Sequence, residues 1–391
     1  MKINRPLLTI ASFMALGFNG LAFSFMGVSL PSIQTYLEIT IGQAGTLMAS
    51  LQAGFTIFTL LGGIFSDYFE REWILMAGCF LLCIGSLFLC IVPSFVLGIL
   101  AVWAIGAGIG FILSGSNTLL VGLYPTRKGT ILNIHHVFFS VGAIIGPALM
   151  GFLIIRGDHW RAGYIGASIV LLTLCLFFAL SKNKMTVSGG DGYKNNNGIN
   201  NLLNDGKFLI ILVVNFLTMG SQVVIMLFGA IFLIQAKQCS LGEAGAALSV
   251  FSIFMVIGRV VCSRLSMRMK HASIVLVLLW FQAVILLLIW QGSGWFALVV
   301  LATSGFTFSG TYPTLLALTS MLFPTREGTA LGLLSTMGGL GSIVLCWLTG
   351  YVAGLTNIGI GFIVTILACS SALILFQFKY SALCRRETRE D

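Results

Sequence analysis

Apolar residues run along this chain in long unbroken stretches, each closed by a short polar or charged break. Twelve such stretches lie at roughly 7–30, 43–65, 73–93, 96–123, 130–155, 162–181, 208–235, 243–265, 272–290, 294–322, 329–352 and 358–379. A helix needs about 20 apolar residues to cross a hydrocarbon core about 30 Å thick, and each stretch is close to that length. A membrane β-barrel would alternate polar and apolar positions. Continuous runs call for helices, which satisfy their own backbone in lipid. The pattern predicts an all-α membrane protein with twelve transmembrane helices. The first run follows Lys2 and Arg5 and is long enough to span, so it reads as the first helix and not as a cleaved leader.

One break is long. Between Ser181 and Lys207 the chain contains GGDGYKNNNGINN, with almost nothing to bury, which is linker composition. The expected organisation is a six-helix bundle at 1–181, a cytoplasmic linker at 182–207, and a second six-helix bundle at 208–391 with a short cytoplasmic tail. The halves also resemble each other in sequence. YPTRKGT at 124–130 recurs as FPTREGT at 323–329, an offset of 199 residues, and at that offset Gly106 meets Gly305, Leu132 meets Leu331, Gly142 meets Gly341 and Gly151 meets Gly350. Six helices separate the copies, so both have one orientation. Parallel repeats of this kind are related by an axis along the membrane normal and place a substrate site at their interface near the bilayer midplane.

Composition agrees: 58% of residues are hydrophobic and 8% charged, against about 25% charged in soluble domains. A formal net charge of +9 would suit nucleic acid, but its distribution is that of a membrane orientation signal. With the N-terminus inside, seventeen Lys and Arg fall on the cytoplasmic side and only Arg156, Arg161 and Lys237 outside. The positive-inside rule then puts both termini in the cytoplasm and the protein in the cytoplasmic membrane, with lipid and a small molecule as partners and no nucleic acid. Eight of the nine cysteines lie in or beside apolar runs. Cys79 and Cys83, four apart, have no His or acid with them, so they read as packing residues and not as a metal site. No cofactor is implied.

GIFSDYFER, between the second and third runs, carries Gly63, Asp67 and Arg71. It resembles the loop motif of the major facilitator superfamily, with Glu70 where a glycine is usual. GRVVCSRLSMRMK from Gly258 resembles its degenerate second copy, with Ser266 in place of the acid. GAIIGPALMG at 142–151 resembles the glycine–proline motif that antiporters and fucose-permease relatives carry on the fifth helix. GIGFILSGSNTLLVGLYPTRKGTILNIHH resembles fucose/glucose-permease-like members, which also have an Asn at Asn117. Their fourth-helix glutamate is Leu113 here and their first-helix aspartate has no counterpart. The resemblance implies a monomeric transporter working by alternating access, with gating by Gly63, Asp67 and Arg71. It also implies a cavity lined by helices one, two, four, five, seven, eight, ten and eleven.

Polar groups inside a membrane are costly and hence candidates for function. All twelve acids fall in loops, tails or helix ends, which leaves His135 and His136, early in the fifth run, as the residues to carry a coupling proton. The alternative is a histidine bonded to a neighbouring helix. Arg259 lies about five residues, on the order of 7 Å, from the cytoplasmic end of the eighth helix. It either binds an anionic substrate through its fork of donors or snorkels to the helix end. Asn19, Gln52, Asn117, Asn215, Gln222, Thr307, Tyr312 and Ser335, with Thr336, offer amides and hydroxyls near Phe13, Phe18, Phe23 and Phe306. They suit a neutral polyol or sugar, or else bond helix to helix; Gln282, on the ninth run, is assigned to structure. The first expectation is import of a small polar solute, sugars included. Export of amphipathic compounds by antiport, or transport of an organic anion on Arg259, are the alternatives, with a proton or cation as coupling ion. An enzyme would need a metal or acid–base cluster, and the four histidines form one adjacent pair with no acid beside it. A receptor or scaffold of transporter descent stays open.

Overall fold

Two helix starts show how local chemistry places the elements. In the computed structural model the Gln43 amide donates to Thr40 Oγ1 at 3.3 Å while the Thr40 amide donates to Gln43 Oε1 at 2.9 Å. Ser240 and Glu243 form the same reciprocal pair at 3.3 and 2.7 Å. These capping boxes open the second helix of each half, α2 (Ile41–Phe65) and α8 (Leu241–Leu265).

The structure describes residues 5–66, 68–124, 128–181, 202, 204–323 and 327–390, with the side chains at 128–130, 133, 327–328 and 386–390 left aside. In the first half, α1 (Arg5–Leu37) and α2 are followed by α3 (Arg71–Leu89), α4 (Phe95–Leu123), α5 (Lys128–Ile155) and α6 (Trp160–Leu180). In the second, α7 (Gly206–Lys237) and α8 precede α9 (His271–Gln291), α10 (Gly294–Ser309), α11 (Thr311–Leu322), α12 (Glu327–Leu355), α13 (Ile358–Gly361) and α14 (Ile363–Glu390). No strand occurs among the described residues. Twelve spans are long and apolar enough to cross a membrane, α10 with α11 forming the tenth and α13 with α14 the last. Most of the expected linker, including its Asn-rich stretch, lies outside the described residues.

Three boundaries depart from the sequence reading. The first helix runs through Pro31 to Leu37 instead of ending near residue 30. Proline removes one backbone donor, and Thr35 Oγ1 donates to the Pro31 carbonyl one turn on. The tenth span breaks at Gly310 into two helices. There a Cβ would overlap the Cys262 sulfur of α8, so only a glycine allows the approach. The last helix continues past residue 379 to Glu390.

The chain forms two compact units, Met1–Gly192 and Tyr193–Asp391. In the first, α1 packs on α5, α2 on α4, and α3 on α4 and α6; in the second, α7 packs on α12, α8 on α10, and α9 on α10 and α14. The repeated glycines sit at these contacts. A Cβ on Gly142 would overlap the Gly17 carbonyl oxygen, and one on Gly341 would overlap that of Phe216. Residues 17 and 216 are themselves 199 apart, so the same contact occurs in both units. Gly106 meets the Leu51 carbonyl and Gly305 that of Phe251 in the same way. In lipid, such close backbone approach supplies the packing that holds helices together.

Candidate functional site

In the first unit, Asn19 is buried midway along α1. Its Nδ2 donates to the Ile109 carbonyl of α4 at 3.1 Å, and its Oδ1 is buried with no partner. Gln52 on α2 is 2% exposed and its Nε2 has no partner. Asn117 on α4 is half-buried with an unpartnered Oδ1. His135 on α5 is fully buried, its Nε2 lying 3.3 Å from the Ser12 carbonyl of α1, the tautomer in which Nε2 carries the proton. Nδ1 has no partner, and the Phe13 ring is centred 5.7 Å away. His136, next along the helix, is exposed. Gly63 faces the Ser114 hydroxyl, and Arg71 opens α3, half-buried. Asp67, their expected partner, lies outside the described residues.

In the second unit, Asn215 on α7 is fully buried, donating from Nδ2 to the Leu334 carbonyl of α12 at 2.7 Å and leaving Oδ1 unpartnered. The Tyr312 hydroxyl on α11 meets that of Ser335 on α12 at 2.9 Å. Asn215, Tyr312 and Ser335 thus gather around residues 334–335 on three helices. Thr307 is buried on α10, its hydroxyl bonded to the Ser304 carbonyl at 2.9 Å. Thr336 bonds within its own helix, and Gln222 is half-buried on α7. Gln282 is fully buried and donates to the Thr307 carbonyl and to Thr311 Oγ1 at 3.0 and 2.7 Å.

Arg259 stands apart. The residues of α8 that face outward, Val250, Ile253, Ile257, Val260 and Arg264, recur at helical spacing. At 100° per residue Arg259 lies about 140° from the centre of that stripe, on the face of Leu248, Ser252 and Met255, all buried. Arg259 is nonetheless exposed. Its side chain stays open although its neighbours one and two turns earlier on that face, Met255 and Ser252, are buried. It lies six residues before Leu265, about 9 Å into the span. Among the described residues it makes no hydrogen bond, ion pair or ring contact.

Three features escaped the sequence. Thr56, one turn after Gln52, has a buried, unpartnered hydroxyl. Ser12 Oγ is buried and unpartnered beside the His135 contact. Glu72, in the first turn of α3, is 2% exposed with an unpartnered Oε1; a loop-end acid looks solvated in sequence, and only its position at a helix N-terminus, where the dipole favours an anion, hints at burial.

The family model described as Major Facilitator Superfamily matches residues 12–344 and again 210–389. The Protein TsgA homolog of Buchnera aphidicola subsp. Schizaphis graminum is 26% identical over 207 residues, 51% of this chain and 51% of that one. The cis,cis-muconate transport protein of Acinetobacter baylyi is 30% identical over 171 residues, 43% of this chain and 41% of that one. The chain spans about half the length of the curated relatives it matches. Among solved structures, the nucleoside transporter NupG superimposes with a TM-score of 0.76 at 16% identity, covering 97% of this chain and 99% of that one. The E. coli fucose:proton symporter FucP does so with a TM-score of 0.63 at 17% identity, covering 96% and 99%. At such identities the likeness is one of fold.

Proposed function

This chain belongs to the major facilitator superfamily, a family of multi-pass membrane transporters and not of enzymes, and from that premise we propose that it moves a small organic solute bearing a carboxylate, by alternating access, across the cytoplasmic membrane. One observation carries the anionic class: a guanidinium stands inside a span long and apolar enough to cross a membrane, exposed and, among the described residues, without a side-chain partner. A charge held there is costly until an anion meets it, and its planar fork matches a carboxylate. The relative named for transport of cis,cis-muconate supports the same class.

On this reading Asn19, Gln52, Asn117, Asn215, Gln222, Thr307, Tyr312 and Ser335 bind the uncharged part of the solute. Gly63, Asp67 and Arg71 gate. Both termini and the 182–207 linker between the 1–181 and 208–391 bundles are cytoplasmic, and the monomer is the working form. A neutral polyol, sugar or nucleoside is the second reading, favoured by the unpartnered amide oxygens of Asn19 and Asn117 and amide nitrogen of Gln52 and by the solutes named for the structural neighbours.

Purified protein in proteoliposomes, screened for uptake with and without a pH gradient, separates the two. Organic carboxylates should compete for uptake, and Arg259→Gln should abolish that competition. Competition by neutral sugars alone, unchanged in Arg259→Gln, would leave the second reading in its place.

A further inference from the structure

The end of α8 and the loop from it to α9 read RLSMRMK, Arg264 to Lys270. Cations alternate in it with apolar side chains: Arg264, Arg268 and Lys270 are exposed, and Met267 between them is 77% exposed. Hydrogen bonding brings the end of the last helix to the same place. The Ser273 hydroxyl, in the first turn of α9, lies 2.9 Å from the Tyr380 hydroxyl and 4.0 Å from the Cys384 sulfur of α14. Exposed Lys379 and Arg385 therefore flank the same helix ends, with Phe378 80% exposed next to Lys379.

The sequence has no acid from 244 to 326 or from 328 to 386. Among the described residues the side chains of Arg264, Arg268 and Lys379 make no hydrogen bond or ion pair. The corresponding loop of the first unit has the opposite charge, SDYFERE at 66–72 holding three acids against one arginine. The positive charge of this loop is thus particular to the second unit. It also stands at the ends of two apolar spans, with exposed apolar side chains among the cations.

We propose that this end of the second unit binds the headgroup of an anionic phospholipid. Arg264, Arg268 and Lys379 hold its phosphate, and Met267 and Phe378 lie along its acyl chains. Cations near an anionic headgroup attract it over about a Debye length, and apolar neighbours anchor the chains. The site is separate from the proposed solute site and stands whether or not Arg259 binds a carboxylate.

The test uses the full-length protein in mild detergent, titrated with phosphatidylglycerol, phosphatidylcholine or soluble glycerol phosphate, and read by thermal unfolding and by native mass spectrometry of retained lipid. Phosphatidylglycerol should stabilise the protein and remain bound, with neither effect from the other two. The triple variant Arg264→Gln, Arg268→Gln, Lys379→Gln should bind it on the order of a hundredfold more weakly, roughly fivefold per cation. Lysine at both arginine positions should restore most of the binding, which guards against a folding defect in the glutamine variant. Equal responses to phosphatidylglycerol and phosphatidylcholine would overturn the proposal. So would full binding by the triple variant, or an equal response to glycerol phosphate, which would make the patch a site for soluble phosphate.

Discussion

Arg161 Nε donates to the carbonyl oxygen of Cys90 across 2.9 Å, and its guanidinium carbon lies 4.0 Å from the centre of the Tyr36 ring and 4.4 Å from that of Trp160. Cys90 caps the C-terminus of α3, where unpaired carbonyls carry the negative end of the helix dipole. Lys237 serves the ninth helix in the same manner, donating from Nζ to the carbonyls of Trp290 and Gly292 at 2.6 and 2.5 Å. The third and ninth helices correspond in the two repeats. Two of the three cations that the charge pattern assigns to the outer face therefore hold equivalent helix ends. They do so from different places, the start of α6 in one unit and the end of α7 in the other.

Removing the Arg161 charge should loosen this clasp. A hydrogen bond to a charged group contributes about 1.5–3 kcal/mol, and half-exposure of the residue argues for the lower end of that range. Arg161→Gln should lower unfolding stability by about 1–2 kcal/mol, seen as a drop of a few degrees in thermal unfolding, and Arg161→Lys should recover part of it. An unchanged melting temperature in the glutamine variant would mean that the clasp contributes nothing.

The repeated glycines give a second, internally controlled test. Gly142→Ala and Gly341→Ala place a methyl group on a backbone carbonyl of the facing helix, and overpacking of this kind costs about 1–3 kcal/mol. At Gly166 on α6 a Cβ meets nothing within 4 Å, so Gly166→Ala should gain helix propensity, up to about 1 kcal/mol. Thermal unfolding of the three single variants should rank Gly166→Ala above the parent and the other two well below it. Equal melting temperatures for all would refute the close contacts.

Length and continuity of the apolar runs made the twelve spans legible, because lipid offers a backbone no other solution. The repeat was legible at the glycines, where helix contact restricts the residue. The break at Gly310 had a mark in Pro313, which cannot donate to the Ser309 carbonyl, but the need for glycine itself did not, since it follows from the sulfur of Cys262, 48 positions away in sequence. The polar candidates fall on the expected helices, and Gln282, assigned to structure from its place on the ninth run, finds two partners there. The two readings of Arg259 stayed together in the sequence, because pairing depends on what the facing helix presents.

Gln282 spans the break in the tenth span, touching Thr307 on one side and Thr311 on the other. Gln282→Leu keeps the volume but leaves a buried hydroxyl and a carbonyl short of a donor, costing about 1–3 kcal/mol. It should lower thermal stability while leaving the solute specificity of uptake intact. A change in which solutes compete, at unaltered stability, would move Gln282 into the binding machinery.

The paired histidines predict different responses to pH. His135 is fully buried and holds one hydrogen bond, to the Ser12 carbonyl, between α5 and α1. A proton from solvent has no exposed surface on that ring to reach. His136 is exposed on the same helix, its ring centred 5.6 Å from the first, so it is the ring of the two that solvent reaches. If uptake is proton-driven, the initial rate plotted against pH should flatten in His136→Gln and keep its midpoint in His135→Gln. The second variant should instead lose about 1 kcal/mol of stability through the broken interhelical bond. The reverse pattern, flattening in His135→Gln alone, would mean that the α1–α5 contact opens during transport and exposes the buried ring. A parent protein with no pH dependence at all would dismiss both histidines as proton carriers.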